Sequence, residues 1–280
     1  MCYSTPHGFN PIEIAKLVER KIALATVSSE IPRKYYRFRP SRFYRGSATA
    51  DATGCNLNCL YCWSWRANAK LLGAFYTPTE VALKLMEIAR DYGYRVIRIS
   101  GGEPTLAFHH ITQVLDKLKE FLLHKNAVFV LETNGILLGH SKEFAEILSR
   151  YRRVVVRISI KGCSEEEFHR ITGAKASFFS LQLNAVRNLL DHGVGVWPAI
   201  TISFCSKESL AKLLPRLAEC GESIVDKIEL EYFKAYPSAV RRLCKNNIAP
   251  WISILVDKNR VAKGEEFREL CRGVSKEEDS

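Results

Sequence analysis

The residues best suited to chemistry stand in one short run, Cys55-Asn56-Leu57-Asn58-Cys59-Leu60-Tyr61-Cys62-Trp63. Its cysteines are spaced C-x3-C-x2-C. A loop of that length can wrap three thiolates around one face of an iron–sulfur cube, and soft sulfur suits such clusters or zinc. A ferredoxin-type site needs a fourth cysteine close by, and none follows Cys62 before Cys163. A cubane held here keeps one iron free of protein thiolate and open to a substrate or cofactor. The competing readings are a zinc knuckle and plain buried thiols. Structural zinc wants four ligands in paired groups, and no histidine stands at ligand spacing.

Three more motifs close short β-branched runs: Ser100-Gly101-Gly102-Glu103-Pro104, Glu132-Thr133-Asn134-Gly135 and Ser159-Ile160-Lys161-Gly162. Paired glycines let backbone approach a ligand closely and take positive φ. A tight strand-to-helix turn explains Gly101-Gly102 equally well, and Asn134-Gly135 is a strong turn dipeptide. Lys161 is either a cation for a ligand carboxylate or a solvated strand-end lysine. In α/β barrels the C-terminal strand ends form the active face, so four separated stretches converge on one mouth.

The cysteine run, with the aromatic Tyr61 before its third cysteine, and the GGEP segment resemble the signature of the radical S-adenosylmethionine (SAM) superfamily. The resemblance implies a [4Fe–4S] cluster on Cys55, Cys59 and Cys62, with its free iron chelating the amino and carboxylate groups of SAM. It implies that backbone at Gly101, Gly102 and Glu103 meets the methionyl amine. The reaction it implies is reductive cleavage of SAM to a 5′-deoxyadenosyl radical, which takes hydrogen from a substrate. A reductase or other low-potential electron donor is then a partner. Within the superfamily, Glu132 to Gly135 and Lys161 to Gly173 resemble the activating enzymes of glycyl-radical systems, such as the one for pyruvate formate-lyase. That likeness places Glu132 and Thr133 near ribose hydroxyls and Lys161 near the SAM carboxylate, and it implies a peptidyl substrate. Two positions depart from the activase pattern. Ser159 stands where those enzymes have an aspartate, and Glu231-Tyr232-Phe233 stands where they end a strand in Pro-Tyr-His.

Residues Ile31 to Arg45 interleave Arg33, Lys34, Arg37, Arg39, Arg42 and Arg45 with Tyr35, Tyr36, Phe38, Phe43 and Tyr44, with no acid between them. One reading is a grip on RNA, since arginine holds phosphates and aromatics stack on bases. The other is a strand whose aromatics pack while its arginines cover apolar surface. The substrate is therefore protein or RNA. An iron–sulfur carrier or zinc module without enzymatic activity is the remoter alternative.

The 280 residues are 47% hydrophobic and 25% charged, which suits a packed globular core. The formal charge of +11 allows anionic partners without selecting one. No apolar run reaches spanning length and Met1 to Asn10 lacks the order of a secretory signal, so a cytoplasmic protein with no membrane partner is expected. Cys2, Cys163, Cys205, Cys220, Cys244 and Cys271 are scattered singly. Each reads as a small buried side chain.

The elements that must carry these motifs follow from periodicity. Met1 to Gly8 reads as a frayed end, and Ile12 to about Val27 as a helix capped by Asn10 and Pro11. Strands are expected at 47–51, 95–100, 127–131, 154–160, 195–204 and 228–233. Helices between them are expected at 79–91, 109–124, 142–151, 164–171, 179–192 and 207–220. Strands alternating with helices imply parallel pairing with right-handed crossovers. Six such units are fewer than the eight of a closed barrel. The expected fold is α/β, a partial (β/α)6 TIM-like barrel over 47–240. An N-terminal helical and basic extension (1–46) precedes it. A C-terminal extension (241–280) follows, ending in a charged helix and a loose acidic tail.

Overall fold

A computed structural model describes residues 7–24, 29–256 and 259–278. The expectations for Met1 to Pro6, for the end of the first helix at 25–28 and for the final two tail residues fall outside that range.

The central sheet has eight strands: β1 (Arg33–Ser41), β2 (Ser47–Ala52), β3 (Ala74–Tyr76), β4 (Val96–Gly101), β5 (Val128–Thr133), β6 (Val154–Ile160), β7 (Gly195–Thr201) and β8 (Glu229–Glu231). Their order is β3-β1-β2-β4-β5-β6-β7-β8. From β2 to β8 every pairing is parallel, which gives the six parallel strands of a partial barrel. β1 and β3 extend it antiparallel beyond β2.

The crossover helices begin where the sequence places caps. Helix α1 (Pro11–Ile22) is capped by Asn10, whose side chain accepts from Ile12 N at 2.9 Å. The helix after β3, α3 (Pro78–Asp91), opens on a capping box between Thr77 and Glu80. It follows α2 (Trp65–Ala69), a short turn behind the cysteine loop. Next come α4 (Phe108–His124), α5 (Ile136–His140), α6 (Glu143–Ser149), α7 (Glu165–Thr172), α8 (Phe179–Asp191) and α9 (Lys207–Ala218). No helix among the described residues is long and apolar enough to cross a membrane.

Alternation along the strands sorts side chains between two faces. Ala48, Ala50, Ile97, Ile99, Phe129, Leu131, Val156 and Ile158 are fully buried in the main hydrophobic core. The alternate positions Asp51, Arg98, Ser100, Glu132, Arg157, Ser159, Glu229 and Glu231 line the concave side. A packed barrel fills that space with Val, Ile and Leu. Here it holds paired charges.

Two expectations change and a third is refined. The expected sixth strand is split. Glu229–Glu231 joins the barrel, while β9 (Phe233–Ala235) turns away to pair parallel with β10 (Ile252–Leu255), itself antiparallel to β11 (Arg260–Lys263). This second sheet and helices α10 (Pro237–Lys245) and α11 (Gly264–Glu278) enclose their own core around Phe204, Phe233, Leu243, Leu255 and Phe267. Within 31–45, Arg33–Ser41 form the sheet strand β1, as the strand reading expected, and Phe43–Arg45 a single 3-10 turn. Tyr35 is buried, and its ring packs with Phe38 and Tyr76. Its Arg33 is buried, and Arg37 and Arg39 both donate to Asp51. Finally, four of the scattered cysteines pair: Cys163 with Cys205 and Cys244 with Cys271. The partners lie 42 and 27 residues apart, so neither pair shows as a local spacing.

Candidate functional site: a three-cysteine loop on a charged barrel

The cysteine loop leaves the C-terminal end of β2 and passes over the barrel mouth. Cys55 and Cys62 are half-buried, Cys59 is buried, and all three are free thiols. Several donors face their sulfurs. Leu57 N lies 3.4 Å and Asn134 Nδ2 3.9 Å from Cys55 Sγ. Ser64 Oγ lies 3.4 Å and Asn68 Nδ2 3.9 Å from Cys62 Sγ. Burial pushes the Cys59 thiol up to about 12, against the pull of the Lys161 charge. Burial, then the neighbouring Cys59, raises Cys55 well above the ordinary thiol range. Thiolates crowded in such a loop require a cation to hold them.

The donor set therefore fits an iron–sulfur cluster. Two of the three sulfurs, those of Cys55 and Cys62, face donors suited to anionic sulfur. Asn56 supplies a further observation: its side chain is fully buried and its Nδ2 has no partner among the described residues. An orphaned amide inside a thiolate loop is a donor for a cluster or its ligands.

The other motifs brace this loop. Gly102 N donates to Ala52 O at 2.7 Å and Glu103 N to Gly54 O at 2.6 Å. A Cβ at Gly102 would stand 2.1 Å from Gly54 O, so only glycine permits this contact. Gly101 has φ +95°, and its carbonyl accepts from Ser64 Oγ at 2.9 Å. Glu103 is buried. Its carboxylate accepts from Thr105 N, Thr105 Oγ1, Thr133 Oγ1 and Asn134 N at 2.6–3.0 Å. Its side chain thus joins two motifs rather than facing the mouth, and Thr133 is drawn into the same clamp.

Tyr61 and Lys161 meet at the mouth. Tyr61 stacks on Phe204, with centroids 4.8 Å apart, and Lys161 Nζ lies 5.6 Å from the Tyr61 ring centre. Lys161 also donates to Ser159 Oγ at 2.5 Å. Burial opposes the Lys161 charge, but Tyr61, Cys59 and Glu231 together raise its pKa. Glu132 lies deeper. It accepts from Tyr44 OH and Ser100 Oγ and pairs with Arg98 at 3.0 Å. Burial alone would raise its pKa, and Arg98 and Arg157 outweigh it and hold it low. Arg157 bridges Glu229 at 2.8 Å and Glu231 at 2.7 Å. Of the expected residues, Lys161, Ser159 and Tyr61 lie together at the mouth, Glu132 faces the interior, and Glu103 and Thr133 lie behind the loop.

Three residues outside the site motifs position this site, and a fourth, His110, holds the neighbouring β1. Arg33 donates to Pro104 O and to Glu103 O, fixing the GGEP turn from below. Arg242 of α10 donates to Leu60 O and Cys62 O and lies over the Trp65 ring at 4.9 Å. Gln182 ties the ends of β5 and β6, donating to Asn134 O and Ser159 O and accepting from Lys161 N. His110 is buried, with Nδ1 on Ile31 O and Nε2 on Tyr35 OH. Only the acid-free run at 31–45 hinted at any of them.

Fold and site together define an α/β partial barrel with a loop of three free thiols at its mouth. The family model of the radical SAM superfamily matches residues 51–205, and the chain belongs to that superfamily. Its cofactors are the two anticipated here, a [4Fe–4S] cluster and SAM. Among curated relatives, a probable GTP 3′,8-cyclase of Methanococcus aeolicus is 33% identical over 122 residues, covering 42% of this chain and 38% of that protein. The Fe-coproporphyrin III synthase of Methanosarcina barkeri is 28% identical over 151 residues, covering 53% and 35%. The chain thus spans well under two thirds of either relative. Among solved structures, SuiB of Streptococcus suis bound to S-adenosylmethionine superposes with a TM-score of 0.51 at 17% identity, covering 69% of this chain and 44% of that one. A spore photoproduct lyase variant with bound AdoMet gives 0.55 at 14% identity, covering 75% and 63%. At these identities the structures share the fold.

Proposed function

We propose that this radical SAM enzyme abstracts hydrogen from a small charged molecule bound in the barrel interior. Cys55, Cys59 and Cys62 would hold the cluster. Lys161 and the backbone of Gly101 and Gly102 would meet SAM, and the clamp of Glu103, Thr133 and Asn134 would keep those strand ends in place. When bound, the two cofactors supply a 5′-deoxyadenosyl radical, and the protein supplies orientation and exclusion of water.

The observation that carries the substrate reading is the concave face. Arg157 bridges Glu229 and Glu231, and Arg98 pairs with Glu132. Charged pairs in that position offer exchangeable partners to a polar ligand, and their desolvation is costly unless something uses them. The named curated relatives support a small substrate over a glycyl-radical partner, since their names concern GTP and a porphyrin. GTP is the first molecule to test.

Anaerobic reconstitution with dithionite and SAM, with and without candidate substrate, provides the test. The proposal expects 5′-deoxyadenosine from the wild type and none from Cys59→Ala. Arg157→Gln should keep SAM cleavage but lose the stimulation by substrate. A variant that keeps full substrate stimulation overturns the interior as the binding site.

A further inference from the structure

The opposite end of the barrel carries a feature the cluster site does not use. Four connections enter the N-terminal ends of β2, β4, β5 and β6, covering residues 42–46, 92–95, 125–127 and 150–153. They contain no acidic residue. Arg42, Arg45, Arg95, Lys125, Arg152 and Arg153 are all exposed there, and none is in an ion pair among the described residues.

The strand ladder makes these cations neighbours. Ala48 pairs with Ile97, Val96 with Val128, and Phe129 with Val154. The strand starts therefore stand side by side, at the roughly 4.8 Å spacing of a sheet. Aromatics sit among them. Tyr92 is 57% exposed and stacks on Tyr94 at 5.5 Å, whereas the Phe43 ring is taken up by Arg98 at 4.7 Å and Lys234 at 5.5 Å. Gly46 seats the 42–46 turn against Tyr94, since a Cβ there would stand 2.4 Å from its ring.

Two of the arginines are kept against backbone preference. Arg45 has φ +59° and Arg153 φ +65°. The left-handed region favours Gly or Asn.

We infer that this N-terminal face binds single-stranded nucleic acid, with phosphates on the arginine row and a base on Tyr92. Arginine holds phosphate bidentately and exposed rings accept bases of any sequence. The site lies across the barrel from the cysteine loop. It is thus a tether or recruitment surface, independent of the reading of the substrate.

The experiment uses the full chain and mixed-sequence 20-nucleotide RNA and DNA oligomers, with filter binding across a salt series. Wild type should bind with a log–log salt slope of roughly −3 to −4, from about 0.7 per phosphate contact. Arg45→Gly combined with Arg153→Asn should flatten that slope by about 1.4 and weaken binding roughly 20-fold at about 0.1 M salt. Because both substitutions suit the left-handed region, the variant should melt no lower than wild type. Tyr92→Ala should weaken binding roughly five- to tenfold without changing the slope. Binding of both oligomers, or of RNA alone, supports the inference. Unchanged affinity in the double variant overturns it, as does equal competition by polyglutamate. 5′-Deoxyadenosine formation should be the same in all three proteins, so failure here is separable from failure of the cluster reading.

Discussion

Thr133 Oγ1 donates to Glu103 Oε1 at 2.6 Å, so the ends of β4 and β5 form one hydrogen-bonded unit beneath the cysteine loop. Asn134 extends that unit to the loop, since its Nδ2 donates to Asn56 Oδ1 at 2.8 Å. Glu103→Ala leaves several buried donors unpaired, each at a cost of about 1–3 kcal/mol. The variant should lose about 3 kcal/mol or more in denaturant unfolding and should retain less iron after reconstitution.

The glycine pair gives a sharper contrast. Gly102→Ala drives a Cβ onto Gly54 O, backbone that cannot yield, and should cost about 3 kcal/mol or more. Gly93 has φ +68° with open space around it, so Gly93→Ala should cost only about 1 kcal/mol. Paired urea melts of the two variants check this.

Arg242 holds two carbonyls of the cysteine loop from outside the barrel. Arg242→Ala should leave the barrel folded by circular dichroism, yet reduce iron retention severalfold under chelator challenge. Arg242→Lys should rescue only part, because a point charge cannot span both carbonyls.

His110 makes stability depend on pH. Burial lowers its pKa to about 3, whereas unfolded histidine titrates near 6.5. Between those values the unfolded chain binds the extra proton, so stability falls as pH drops below about 6.5. The slope from this group should approach about 1.4 kcal/mol per pH unit. It should be missing in His110→Asn, compared by melts from pH 7 to pH 4.

Mass mapping under non-reducing conditions should find Cys163 joined to Cys205 and Cys244 to Cys271, with Cys55, Cys59 and Cys62 alkylated in the apoprotein. Losing the first bridge through Cys163→Ser should cost about 2–4 kcal/mol.

Much of this was legible in the chain. The parallel strands β4 to β7 announce themselves as runs rich in Val and Ile, and three site motifs close β4, β5 and β6 at Gly101, Thr133 and Ile160. Local pattern suffices there because one short segment holds each signal. It fails wherever the meaning depends on distant chain. Arg33 looks like its solvated neighbours, yet it is buried beneath Pro104 and Glu103. Arg242 follows the loop it braces by some 180 residues. The run Glu229 to Phe233 reads as one strand because polar and apolar residues alternate through Tyr232 with no turn residue among them, but the backbone leaves the barrel at Tyr232 to found another sheet. The interior charges were visible as residues, and only the register showed them paired.

Electron paramagnetic resonance of the anaerobically reconstituted, dithionite-reduced protein, recorded before and after adding SAM, tests the cluster site most directly. The account predicts a reduced [4Fe–4S] signal that changes on SAM addition and is lost in Cys59→Ala. A signal indifferent to SAM, or protein that takes up only zinc on the three cysteines, would contradict it.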